Sequence, residues 1–222
     1  MKRQLLQRST RLVCLIGLVL FSGMNTPTWA IDVTLSLDEA KQIIADGRVV
    51  MEKASSFAEL RSVAIEAELP YRIQKPGDDV SVHSCLPSAI VQTKRFWLET
   101  LGRREAAESK RQQKDIRVPE EKIQEYLIMP NLGVEVRLCG DEEYFAEGAE
   151  VVLQQGSEFI HPVDFVPPKA GRKNSGSLKG YRSRFTARFA YTSFNHQEPS
   201  IVAIFFPDGQ LINLEADFSK IK

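Results

Sequence analysis

Beyond Pro130 the apolar residues of this chain recur at every second position, the period of a strand with one buried face. Val134, Val136 and Leu138 alternate with Glu135, Arg137 and Cys139. The clearest run sets Tyr181, Ser183, Phe185, Ala187, Phe189 and Tyr191 against Arg182, Arg184, Thr186 and Arg188. Such strands turn one side to a core and the other to water, as antiparallel sheets do. Residues 149–155 and 157–162 read as a hairpin turning at Gln155-Gly156. Ile201–Phe206 is apolar on both faces, the pattern of an interior strand. Pro207-Asp-Gly209 turns the chain into residues 211–218, where Ile212, Leu214, Ala216 and Phe218 share a side. About six strands with short connections predict an antiparallel β-sandwich of the immunoglobulin-like kind over 129–222. A strand from residues 61–85 would complete it.

The preceding stretch has a different period. Ser36-Leu-Asp-Glu39 is a capping box, in which Ser36 accepts from the third backbone N–H and Glu39 reaches back. Behind it Leu37, Ala40, Ile43, Ile44, Val50, Met51, Ala54, Phe57 and Ala58 recur at three- and four-residue spacing, one face of an amphipathic helix. Gly47 weakens that helix by about 1 kcal/mol relative to alanine. Val63, Ile65, Ala67 and Leu69 alternate in a composition that also tolerates helix, and with Pro70 and Ile73 following they favour a strand over 61–69. Lys75-Pro-Gly-Asp-Asp79 is a turn cluster. A second helix starts at Thr93, buries Phe96, Trp97, Leu98 and Leu101, and ends in the 112–117 region. A third follows Val118, with Pro119 at its first position and Ile123, Tyr126 and Leu127 inward. The fold class is therefore α+β, a mainly helical region over 31–128 packed on the β-sandwich of 129–222.

The first thirty residues address the compartment. Lys2, Arg3, Arg8 and Arg11 precede an apolar run from Leu12 to Phe21, and Thr28-Trp29-Ala30 ends in the small-residue pattern a signal peptidase accepts. The run falls short of the roughly 20 residues of a spanning helix. Residues 1–30 thus read as a secretory signal peptide, and the mature chain carries no transmembrane span. It is expected in the periplasm or outside the cell. The leader holds four of the 29 basic residues and none of the 29 acids, which leaves the remainder at −4. An acidic balance speaks against nucleic acid as a partner. Cys85 and Cys139 are the cysteines that remain, and in an exported protein they are expected to form a disulfide.

Signatures of chemistry are sparse. His83, His161 and His196 fall in separate segments, and no metal-ligand spacing places two of them on one helical face. Asp141-Glu142-Glu143 lacks the alternating oxygens of a calcium loop. Ser219-Lys-Ile-Lys222 matches Ser-x-x-Lys without a following helix to hold the lysine. Gly171 and Gly176 have the spacing that opens a phosphate loop, but Ser177-Leu178 stands where Lys-Ser/Thr must follow. No cofactor or metal is expected. His83 two residues before Cys85 would serve a thiol enzyme, provided that the thiol is free. Basic surface is the other feature. Arg182, Arg184 and Arg188 line the polar side of one strand, beside a long connection carrying Lys169, Arg172, Lys173 and Lys179. Guanidinium groups in that arrangement suit anionic envelope material.

The run Gln92-Thr-Lys-Arg-Phe-Trp-Leu98 and the pair Leu153-Gln-Gln-Gly156 and Ile160-His-Pro162 carry a resemblance, together with Phe206-Pro-Asp-Gly-Gln210 and Ala216-Asp-Phe-Ser219. With these segments the chain resembles a loose group of exported bacterial proteins of unassigned role, which place helices before a β-rich C-terminal part. The resemblance implies that architecture and no activity. The expected role is a non-enzymatic binding or scaffolding module of the envelope, its partner an anionic component or another envelope protein. The alternatives are a thiol-dependent enzyme using Cys85 and His83, and a structural component assembling through its first helix at Val50 and Met51.

Overall fold

Two capping boxes, not one, organise the start of the chain. The structure, a computed structural model, describes residues 31–74, 85–174 and 180–221. The leader, the 75–79 turn cluster, His83 and Lys179 lie outside the described residues. Helix α1 (Leu37–Glu52) is capped as expected: the Glu39 N–H donates to Ser36 Oγ at 3.2 Å, and the Ser36 N–H donates to Glu39 Oε2 at 2.8 Å. The helix does not continue to Ala58. Ser56 and Glu59 form a second box that opens α2 (Phe57–Glu66). The expected strand over 61–69 is therefore a correction, since these residues are helix and then a 3-10 turn at Leu69–Tyr71. A helix start fixed at Ser56 outweighs an alternation that also tolerates helix.

Strand β1 (Arg72–Gln74) and strand β2 (Ser88–Gln92) follow, then α3 (Lys94–Gln112) and α4 (Glu120–Leu127). Thr93 caps α3, its Oγ1 accepting from the Phe96 N–H at 3.0 Å. Pro119 is the N-cap of α4 and not its first helical residue. Helices α1 and α3 touch through their backbones. A Cβ on Gly102 would lie 1.9 Å from the Ile44 carbonyl oxygen, and one on Gly47 would lie 2.4 Å from that of Glu99. Gly47 thus gives up helix propensity for a crossing that no larger residue permits. Ala40, Ile43, Ile44, Leu98, Leu101 and Ile123 fill the interhelical core. Met51 is buried, whereas Val50 is exposed, so the stripe marked for assembly is mostly consumed inside the molecule. Lys110 of α3 donates to the Met51 and Glu52 carbonyls, satisfying the C-terminal end of α1.

The β-rich part comprises β3 (Asn131–Gly140), β4 (Glu150–Gln155), β5 (Glu158–Ile160), β6 (Asp164–Val166), β7 (Arg172–Lys173), β8 (Tyr181–Ala190), β9 (Ser200–Phe205) and β10 (Leu211–Ala216). One sheet runs β1-β2-β3-β8-β6, with β7 also on β8. The other runs β10-β9-β4-β5, and every pairing is antiparallel. The interior place of β9 and the β4–β5 hairpin agree with the sequence. Both sheets feed one core: Ala89, Val91, Val134, Val136 and Phe185 from the first, Val151, Leu153, Val202, Ile204 and Leu214 from the second. Strands β1 and β2 precede residue 129, so the helical stretch donates an edge to the first sheet. Strand β2 is buried at all five positions, which leaves no alternation to reveal it. The fold is mixed helix and antiparallel sheet.

Cys85 and Cys139 pair as a disulfide with their Cα atoms 5.5 Å apart, tying the segment before β2 to the end of β3. Among the described residues, no helix is long and apolar enough to cross a membrane.

Candidate functional site

The outward face of the first sheet concentrates positive charge. Register sets the arrangement. Arg137 on β3 lies directly opposite Arg184 on β8, Cys139 opposite Arg182, and Arg182 in turn opposite Arg172 on β7. On the other side, Arg72 of β1 shares a row with Ile90 and Glu135. Like charges directly across a strand pair are destabilising unless neutralised. Among the described residues of these rows, Arg137 is the arginine held in ion pairs. Its Nη1 donates to Glu68 Oε2 at 2.7 Å and its Nε to Glu135 Oε1 at 2.6 Å. Glu68 comes from the end of the helical stretch, just before the 3-10 turn, and so locks the helices onto this face.

Among the described residues, Arg72, Arg172, Arg182 and Arg184 form no ion pair. Arg72 Nε is buried without a hydrogen-bond partner. Desolvation first, and the neighbouring Arg137 charge second, hold both Arg72 and Arg184 below the usual guanidinium range. Arg137 moves the other way: burial lowers it, but the Glu68 hydrogen bond and the charges of Glu135 and Glu68 outweigh that. The result is a patch with five guanidinium groups and two carboxylates, which hydrogen-bond Arg137 and whose charges only partly offset the repulsion felt by Arg72 and Arg184. An anion bound there would relieve repulsion that the fold leaves in place.

The residues marked in the sequence divide. Arg182, Arg184 and Arg172 come together on this face, in register on adjacent strands. Arg188 is one row group away and is engaged by Asp164 of β6. Lys169 and Lys173 are exposed beside the patch. Arg72 and Arg137 were not anticipated. Arg137 alternates with the buried positions of its strand, so its side was legible, but its row partners were not.

Two other polar clusters lie among the helices. Arg48 spans α1 and the chain after α3, donating to Glu52 Oε1 at 2.7 Å, to Asp115 Oδ1 at 2.7 Å and to the Ile116 carbonyl at 3.1 Å. Arg103 and Glu99 form a buried pair at 3.5 Å, and Arg103 also donates to Thr100 Oγ1 at 2.7 Å. They floor a cleft of about 310 Å³ between α1, α2 and α3, walled by Val50, Val63 and Pro70. Burial, helped by the Glu99 charge, raises the adjacent Tyr71 phenol well above its ordinary value. These clusters join helices.

Cys85 is bonded, and a bonded sulfur is not a nucleophile. Among the described residues, no three His, Cys, Asp or Glu side chains gather as a metal site. Ser219 is turned to Asp217, its Oγ 2.5 Å from Oδ1, and Lys220 pairs with the same carboxylate. The chain matches no family model, no curated protein and no solved structure.

Proposed function

We propose that this protein is an exported envelope protein that works as a non-enzymatic binding or scaffolding module, holding an anionic component on the outward face of its first sheet. The observation that carries this reading is the excess of guanidinium groups at Arg72, Arg172, Arg182 and Arg184, none of them in an ion pair among the described residues. Arginine forks suit phosphate, sulfate and carboxylate bidentately, and a β-face that spaces them regularly favours a repeating polyanion. Export is supported by the leader pattern of residues 1–30 and by the Cys85–Cys139 pair. The core shared by both sheets supports reading the β-rich part as a sandwich, immunoglobulin-like in its layering. The periplasm or the extracellular medium is its place of work.

Binding to phosphatidylglycerol vesicles and to polygalacturonate, with phosphatidylcholine vesicles as reference, tests the reading and separates lipid from acidic sugar. Replacing Arg182 and Arg184 by Gln should weaken the preferred polyanion by about tenfold and flatten its salt dependence. Equal affinity in that variant would refute the assignment. Export is checked separately: amino-terminal sequencing should find a product starting at Ile31, and an intact leader on a cytosolic product would refute it.

A further inference from the structure

The second sheet presents a face of opposite character. Its inward positions fill the common core, and the alternate set points away from it. In register these outward residues form three rows: Phe159, Gln154, Ile201 and Glu215; Val152, Ala203 and Asn213; and Glu150, Phe205 and Leu211. Val152 and Ala203 are buried yet belong to neither core cluster. Around them Phe205, Leu211 and Phe159 are 38%, 49% and 54% exposed. This is why Ile201–Phe206 reads as apolar on both sides: its second side is an apolar surface, uncovered at Phe205. Strands β4, β5, β9 and β10 hold no Lys, Arg or His, and the charges on this face are the carboxylates of Glu150 and Glu215.

We propose that this face docks a basic amphipathic segment of another protein, one that alternates apolar residues with lysine or arginine. Strand and residue spacings put the patch on the order of 300 Å². A stable dimer buries about 800 Å² per partner, so a second copy alone finds too little here. A second copy would also add two further carboxylates to the contact and bring no cation from these strands to meet them. Anionic lipid is disfavoured for the same electrostatic reason. A segment with its own apolar row matches Phe205, Leu211, Ile201 and Phe159, and its cations reach the two carboxylates at opposite corners of the patch. Apolar contact supplies the attraction, and the charges select the partner and its register.

Fluorescence anisotropy of the exported chain with labelled peptides tests this. The peptides alternate Leu with Lys, Leu with Glu, and Ser with Lys. The Leu/Lys peptide should bind about tenfold more tightly than either of the others. Phe205→Ser with Leu211→Ser should remove that preference. As a second variant that leaves the apolar side chains in place, Glu150→Lys with Glu215→Lys should transfer the preference to the Leu/Glu peptide. Arg184→Gln, on the other sheet, should leave Leu/Lys binding unchanged, which separates this test from the polyanion one. The proposal is overturned if Leu/Lys binding survives loss of Phe205 and Leu211, or if the charge reversal does not exchange the peptides. It is equally overturned by vesicle binding that depends on Phe205, or by a dimer in sedimentation that Phe205→Ser dissolves.

Discussion

The two sheets share one core but turn contrasting surfaces outward. The first gathers arginines whose mutual repulsion is only partly cancelled, by Glu68 and Glu135 on Arg137. The second carries phenylalanine, leucine and isoleucine with two carboxylates and no cation. Inward, the two are interchangeable in kind, with valine, isoleucine, leucine and phenylalanine at alternating positions. The contrast teaches that burial fixes half of each strand and leaves the other half free. In this protein that free half carries unrelieved charge on one sheet and unrelieved apolar area on the other. Each is a cost to the isolated fold that a ligand would offset.

The largest expected effect tests whether the faces belong to one cooperative unit. The disulfide anchors only the first sheet. Replacing Cys85 and Cys139 by Ser should lower stability by about 4 kcal/mol, from the loop that the bond closes. Because the core is common, polyanion and peptide binding should then disappear in a single thermal transition. Two separate transitions in calorimetry would break the picture of a shared core. Alkali gives a second probe. Burial raises the Tyr191 phenol far above its ordinary value of 10.0. Below that pH the phenol is neutral whether the chain is folded or not. Above it the unfolded chain ionises first, so stability should fall as pH rises past 10.0. Tyr191→Phe should make that fall shallower in denaturant titrations, and an unchanged slope would contradict the assignment. The smallest effects sharpen the contrast between the faces. Phe205→Ser should cost on the order of 1 kcal/mol, because the ring is partly buried on an interior strand but lies outside the core. A large loss at Phe205 would show that its ring belongs to the core. Arg184→Gln should stabilise the unliganded protein by a few tenths of a kcal/mol, about 0.3, by relieving repulsion from Arg137.

Legibility followed burial. Strands β3 and β8 stood out because one side of each is wet, and the Ser36 box marked α1 because its chemistry is local. Strand β2 gave no signal, since Ser88, Ala89, Ile90, Val91 and Gln92 are all buried and no face differs from the other. Helix α2 resembles a strand in the sequence because Val63, Ile65 and Ala67 sit only half in the protein, where alternation says little. The decisive cue was the box at Ser56 and Glu59, four residues beyond the end of α1. For the basic face, Arg182, Arg184 and Arg172 were visible as a cluster of charge. Which of them keeps a partner was not, because Asp164 reaches Arg188 from a strand 24 positions away and Glu68 reaches Arg137 across 69.

The sequence by itself determined the periods, the cap at Ser36, the cysteine pair of the β-rich part and the side on which each half-wet strand carries its arginines. These depend on near neighbours, and the chain writes neighbours directly. Only the tertiary structure decided that β2 carries β1 onto the sheet of β3, that Gly47 and Gly102 let two helices meet backbone to backbone, and that Arg137 is ion-paired while, among the described residues, Arg184 is not. Those outcomes rest on distances between residues far apart in the chain, which the folded packing alone sets.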